Sequence, residues 1–224
     1  MLTAMQIKPD VYWVGGIDWN ARSFHGYTTA DGITYNAYLI LDEKITLVDT
    51  TKATFAEELI GRISSIVDPA KIDVIIANHI EMDHSGSIPA ILELAPHAEV
   101  YASAPAGVKE LAAHFGIADE RVHGVKTGDT LEIGKRTLSF VQTAMVHWPD
   151  NMVTYSAYDK ILFSNDAFGQ HFASGARFED ENDLHEIMLQ ACKYYANIVQ
   201  PYGKQADAAL SAVKGLGIEN IDVI

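Results

Sequence analysis

The chain has 224 residues, 48% of them apolar, which fits one large domain or two small ones and is enough for a substantial core. A net charge of −14 argues against nucleic acid or an anionic membrane as the main partner; it reads as a solvated surface that also suits a positively charged docking partner. The single cysteine, Cys192, excludes an internal disulfide and an all-thiolate metal site, and is expected as a small core residue on a helix. No basic-then-apolar leader opens the chain and no apolar run approaches ~20 residues, so the expected location is a reducing cytoplasm with no membrane span.

Strands are expected at 11–14 and 35–41, with a hairpin arm at 45–49 after the turn Asp42-Glu43-Lys44. Between the first two lies a polar and aromatic loop, 18–32, with His25-Gly26-Tyr27 at its middle; loops that long are often functional. Thr54 is set to cap a helix over 55–66, and Asp68-Pro69 returns the chain to an apolar run at 72–77 that reads as a buried strand. That strand ends in Asn78-His79-Ile80-Glu81-Met82-Asp83-His84-Ser85-Gly86. Ser87 follows as a helix N-cap, and a helix over 88–94 carries Pro89 in its first turn.

Four potential metal ligands thus stand within six residues on a loop at the carboxyl end of a strand, where open α/β sheets put their chemistry. Desolvating them together is costly unless a cation compensates them, so a metal site is expected. His79 and Glu81 alternate with Asp83 and project together if the loop starts extended; His84 then points elsewhere, toward a second metal.

Further on come a strand at 99–102, a helix over 105–115 closed by Gly116, and short strands at 130–133, 136–143, 152–157 and 160–164. A helix over 184–199 is ended by Pro201, and a last helix over 204–216 leads through Gly217 into 221–224, a strand only begun. With no linker, repeat or composition break, one domain of sheets covered by helices is expected.

His147 and Asp166 each follow a strand, so three strand ends carry His or carboxylate groups, and a joint role outweighs the turn-former reading that suits any one of them. Asp49 ends a fourth strand and is expected to orient a ligating imidazole. His97, His114 and His123 are read as structural or solvent-facing and His185 as a helix-face residue, while His171 is near enough to Asp166 to line a pocket. His25 is the best candidate among the other histidines. A Gly-x-Ser-x-Gly elbow, a phosphate loop and a dinucleotide fingerprint are all missing.

The series His79-x-Glu81-x-Asp83-His84, then His147, then Asp166, resembles the metallo-β-lactamase fold. Within that fold it resembles the diiron domain of flavodiiron proteins (A-type flavoproteins, oxygen or nitric oxide reductases). Asp18-Trp19-Asn20, Phe24-His25-Gly26-Tyr27, Thr34-Tyr35-Asn36-Ala37-Tyr38, His147-Trp148-Pro149-Asp150, Ser164-Asn165-Asp166-Ala167-Phe168-Gly169-Gln170 and Tyr194-Tyr195-Ala196-Asn197-Ile198 extend the likeness over essentially the whole chain. It implies an α/β fold, an αββα sandwich. Hydrolytic members carry His-x-His-x-Asp-His and bind zinc; Glu81 in place of the second His adds a hard oxygen donor and moves preference toward iron or manganese.

The resemblance further implies that His79, Glu81 and His147 bind one iron, that Asp83 and His84 bind the other, and that Asp166 bridges them. Contact of the His84 position with metal varies within the family. His25 and Tyr194 would offer hydrogen bonds or protons to bound oxygen or nitric oxide. Also implied are FMN from a flavodoxin-like domain or partner, an electron donor such as a rubredoxin or flavoprotein, and a head-to-tail homodimer. Two departures stand out: the family supplies a further His just beyond a strand like 221–224, and it usually continues into the flavodoxin-like domain. The expectation is a single diiron domain over 1–224, cut short at its C-terminus, that binds and reacts but turns over poorly alone. The rival readings are a metal-dependent hydrolase of the same fold and a non-enzymatic diiron oxygen binder or sensor; metal analysis and steady oxygen consumption separate them.

Overall fold

The apolar run at 72–77 forms the middle of the protein because both of its faces are covered. In the strand Val74–Ala77, Val74 and Ile76 pack between two sheets, whereas Ile75 and Ala77 face a layer of helices. A strand buried on both sides reads as a continuous apolar run rather than an alternating one. Each fully buried aliphatic side chain of this kind contributes roughly 1.5–3 kcal/mol. The structure is a computed structural model that describes residues 2–118, 120–215 and 220–224.

The larger sheet runs in the order Met5–Lys8, Val11–Trp13, Tyr38–Ile40, Thr46–Val48, Val74–Ala77, Glu99–Ser103 and Val122–Val125. The last four are mutually parallel and the others antiparallel. Against one face lie the helices Ala56–Ser64, Ile88–Leu94 and Ala106–Phe115, which bury Leu59, Ile63, Ile88, Ile91, Leu92 and Leu111 in that layer. Against the other lies an antiparallel sheet of Thr130–Glu132, Thr137–Gln142, Met152–Ser156 and Ile161–Phe163, with Phe140 and Phe163 in the interface. The far face of that second sheet (Val141, Val153, Leu162) meets Ala212 and Val213 of the helix Gly203–Gly215. This is the expected αββα sandwich.

Several local expectations change. The strand expected at 35–41 breaks in two: Ile33–Tyr35 pairs with Gly16–Asp18, and Tyr38–Ile40 joins the main sheet. The stretch 18–32 is no simple loop, because Ser23–Phe24 and Tyr27–Thr28 pair as a hairpin. Thr54 does not cap; the chain enters its helix through a 3-10 turn at Ala53–Phe55. The Ser87 hydroxyl donates to the Lys52 carbonyl instead of capping. Pro201 does not end the helical path: an α-helix Leu184–Tyr194 passes into a π-helix Tyr195–Val199, then a 3-10 turn Gln200–Tyr202, then Gly203–Gly215. Proline at the start of a turn costs no hydrogen bond. The end expected at Leu216 and Gly217 lies outside the described residues. Val223 makes a single parallel bridge to Ile161. Cys192 is exposed rather than in the core.

Candidate metal centre

Four strand ends converge at one edge of the sandwich. Thr46–Val48 delivers Asp49, and Val74–Ala77 delivers the 78–86 loop. Thr137–Gln142 leads into the loop carrying His147 and Asp150, and Ile161–Phe163 into the 3-10 turn that holds Asp166. The 78–86 loop is extended only as far as Glu81; Met82–Ser85 forms one helical turn, so Asp83 and His84 project from a helix and not from an extended segment.

Among the described residues four side chains, His79, Glu81, His147 and Asp166, gather as one group of possible ligands, and His84 and Asp83 stand beside it on the other oxygen of Asp166. Glu81 Oε2 lies 3.3 Å from both His79 Nε2 and His147 Nε2, while Asp166 Oδ2 lies 3.5 Å from His79 Nε2 and 3.3 Å from His147 Nε2. One donor atom from each of these four residues fits within 4.8 Å of the others. Ligands about 2.0–2.2 Å from a metal stand about 3.0–3.5 Å from their neighbours, which is the spacing found here. On the other side, Asp166 Oδ1 is 3.0 Å from His84 Nε2, which lies 3.6 Å from Asp83 Oδ2. His147 Nε2, Asp166 Oδ2 and Asp83 Oδ1 are buried without a hydrogen-bond partner. Of these, His147 Nε2 and Asp166 Oδ2 stand 3.3 Å apart within the group of four, an arrangement that fits a bound cation.

The electrostatics agree. Burial would lower His79, but its hydrogen bonds to Asp150 and Glu81 push the imidazole up to about 10. Burial is likewise overridden at His147, where Asp166 and Glu81 raise it to about 9, and at His84, which the Asp166 and Asp83 charges hold well above 6.5. Burial would raise Glu81 and Asp166, yet the histidines hold both well below the usual carboxylate range. Without metal, the imidazoles therefore carry protons that neutralise the carboxylates. A bound metal ion would take the place of those protons.

A second layer fixes the donors. His79 Nδ1 donates to Asp150 Oδ2 at 2.9 Å, and the same oxygen accepts the Ile80 backbone N–H at 2.6 Å. This leaves His79 Nε2 facing the cluster. The role expected of Asp49 thus belongs to Asp150. Asp49 instead accepts from the Asn78 backbone N–H at 2.7 Å and side-chain amide at 3.1 Å, and burial pushes it up to about 6. Asp150 was legible only as the last residue of His147-Trp148-Pro149-Asp150.

His25 sits at the tip of the short hairpin. It and Gly26 both have positive φ (48° and 79°), the backbone of a two-residue type I′ turn. From there His25 Nε2 meets Glu81 Oε1 at 2.7 Å. His171 stacks on His25 with ring centres 5.3 Å apart, and its Nδ1 accepts from Tyr27 Oη at 2.7 Å; burial and the His25 charge pull it down to about 4, so it is neutral. Tyr194 packs edge-on to His171, and burial followed by the Asp166 charge holds its phenol well above 10. A cavity of about 300 Å3 opens beside His25 and His147, bounded by Asn197, Ile198, Pro201 and Tyr202. His97, His114, His123 and His185 lie elsewhere, at or near the surface.

Residues 33–222 match the family described as ODP family beta lactamase. The chain belongs to that family. It is 45% identical over 218 residues to a rubredoxin-oxygen oxidoreductase of Megalodesulfovibrio gigas, covering 97% of this chain and 54% of that protein. It is 44% identical over 220 residues to a nitric oxide reductase of Moorella thermoacetica, covering 97% and 55% respectively. The crystal structure of the flavodiiron protein from Giardia intestinalis superposes with a TM-score of 0.92 at 38% identity, over 96% of this chain and 52% of that one. The likeness to the diiron domain of flavodiiron proteins, and the metallo-β-lactamase-like fold, are both borne out. The chain spans about half the length of the curated relatives it matches. Among the described residues no helix is long and apolar enough to cross a membrane.

Proposed function

We propose that this chain is the diiron part of a reductase that converts oxygen to water, nitric oxide to nitrous oxide, or both. The observation that carries the reading is Asp166, whose two oxygens face two separate donor groups. His79, Glu81, His147 and Asp166 Oδ2 would hold one iron, and Asp83, His84 and Asp166 Oδ1 the other. Two iron ions, when bound, supply reducing electrons and a common surface for the substrate atoms. Glu81 keeps the donor set hard and anionic, which favours iron over the zinc of the hydrolytic relatives.

The chain's own residues supply position and protons. Two nitric oxide molecules need two electrons and two protons to give nitrous oxide and water; one oxygen molecule needs four of each to give two waters. The Tyr194 phenol stays protonated beside Asp166 and is a proton source at the site. His25 holds Glu81 in place through Nε2. Neutral His171, bonded to Tyr27, stacks on the His25 ring and supports it. The electrons would come from FMN in a flavodoxin-like domain or partner, itself reduced by a donor such as the rubredoxin named for the M. gigas relative. Exposed Leu184, Met188, Leu189 and Tyr195 offer an apolar face for a second copy of the chain, in support of a homodimer. A reducing cytoplasm is the compartment in which exposed Cys192 stays a thiol.

The test is anaerobic loading with ferrous iron, metal counting per chain, and consumption of oxygen and nitric oxide with a reduced flavoprotein donor. Two irons with steady consumption are expected. Preferential zinc uptake with ester or amide hydrolysis would overturn the reading.

A further inference from the structure

Glu110 lies outside the donor set, on the helix Ala106–Phe115, yet it reaches the layer behind it. The helix comes close because Gly107 has no side chain: a Cβ there would fall 3.0 Å from Ser103 Oγ and 3.2 Å from Ala102 Cβ. Ser103 Oγ receives the Gly107 N–H at 3.3 Å and donates to the Asp150 backbone carbonyl at 2.5 Å, tying the helix to the Asp150 loop. Glu110 is one turn further along the same face.

The Glu110 and Asp150 side chains meet there. Asp150 uses Oδ2 for His79 and Ile80, and its Oδ1 is buried with no donor; Glu110 Oε2 is buried with no donor either. The two side chains are within hydrogen-bonding reach, but neither can donate unless one holds a proton. Burial would raise Asp150, but the His79 and Ile80 donors hold it below the usual carboxylate range, whereas Glu110 is raised, so the proton belongs on Glu110. Burial, then the Asp150 charge, push Glu110 up to about 7, with His79 opposing weakly. Glu99 and His123 on the adjoining strands pair with each other at 3.5 Å, on the side of Tyr101, which packs in the layer between the sheets and away from the helix.

We propose that Glu110 is a positioning residue for the metal centre: its carboxylic acid donates to Asp150 Oδ1 and thereby limits how strongly Asp150 draws on the His79 imidazole. When Glu110 loses that proton, Asp150 becomes the stronger acceptor and His79 the stronger electron donor. The effect on the metal rests on His79 being a ligand; the shared proton does not.

The test uses the full chain with Glu110→Gln, which keeps a donor permanently, and Glu110→Ala, which removes it. In metal-free protein, infrared or carbon-13 spectroscopy should find one protonated carboxyl well above the ordinary glutamate range, lost in E110Q. In cobalt-loaded protein, the visible spectrum should shift between about pH 6 and pH 8.5, around the Glu110 titration. E110Q should hold the low-pH spectrum and E110A the high-pH one, with cobalt affinity in E110A changed by up to about tenfold, the lower end for groups behind a ligand. An ordinary glutamate titration at Glu110, or an unchanged pH transition in E110Q, would overturn the proposal. Cobalt affinity unaffected by His79→Ala would sink the metal reading instead, leaving the metal-free carboxyl signal to decide the Glu110–Asp150 proton. Thermal melts of both variants exclude misfolding as the cause.

Discussion

The ring of Tyr194 fills the space that a side chain on Gly169 would need. A Cβ at Gly169 falls 2.6 Å from Tyr194 Cζ, although the backbone there (φ −68°, ψ 149°) suits any residue. Gly169→Ala should therefore act by contact alone, costing about 1–3 kcal/mol through overpacking and moving the phenol away from Asp166. Reductase turnover should fall by about an order of magnitude or more, as for Tyr194→Phe, if the phenol is the proton donor. Melting curves and turnover of both variants check this; full activity in either would remove Tyr194 from the chemistry.

Asp150→Asn keeps the shape behind His79 but loses the charge. Metal affinity at the His79 side should drop by about 10–100-fold. Titration with ferrous iron or cobalt measures it, and Asp49→Asn serves as the contrast, since Asp49 bonds Asn78 and no imidazole.

Replacing Glu81 with His would restore the donor pattern of the hydrolytic relatives. Glu81→His should raise zinc uptake relative to iron when both metals are offered, because an anionic oxygen gives way to a neutral nitrogen. Elemental analysis after competitive loading decides. An unchanged ratio would mean that geometry, not donor type, sets the preference.

The metal-free protein should lose stability in alkali. His79 and His147 are raised to about 10 and about 9 in the folded state, against 6.5 in an unfolded chain. Their contribution is fully present below 6.5 and is lost as pH rises through about 9 to 10. Glu81 and Asp166 have the opposite sign, and their contribution disappears in acid. Bound metal replaces the imidazole protons, so the loaded protein should resist alkali and its affinity should rise with pH. Melting temperatures at pH 6, 8 and 10, with and without cobalt, read out both effects.

Far from the site, the fully buried Arg136 closes the outer edge of the two sheets. It donates to Asp159 at 2.8 and 3.0 Å, to Asp42 at 3.1 Å, and to the Pro9 and Leu41 carbonyls. Arg136→Met would leave the Asp42 and Asp159 carboxylates without their buried counter-ion, although Glu43, Lys135 and Ser156 still donate to them, and should cost about 3–5 kcal/mol. Lysine cannot reproduce the fork. Denaturant unfolding of Arg136→Met and Arg136→Lys gives the values.

Much of this protein was written locally. An apolar run followed by His79, Glu81, Asp83 and His84 announces a strand, a loop and a charge cluster within a dozen residues, because burial and ligand chemistry act on neighbours in sequence. The strands Met5–Lys8 and Val122–Val125 carry no clear local signal, because their short, mixed patterns gain identity only from pairing. The hairpin that lifts His25 was hidden because its two-residue turn uses His-Gly, where asparagine or aspartate before glycine would have announced it.

Residue order by itself determined the fold class, the strand-end position of the site and the chemical type of its donors. Only the tertiary structure decided that Asp166 turns one oxygen to each donor group, that Asp150 and not Asp49 backs His79, and that His25 reaches Glu81 across 56 positions of sequence. Those relations depend on how two sheets register against each other across a shared core. Local periodicity says which face of a strand is buried, but not which residue of a distant strand will lie opposite it.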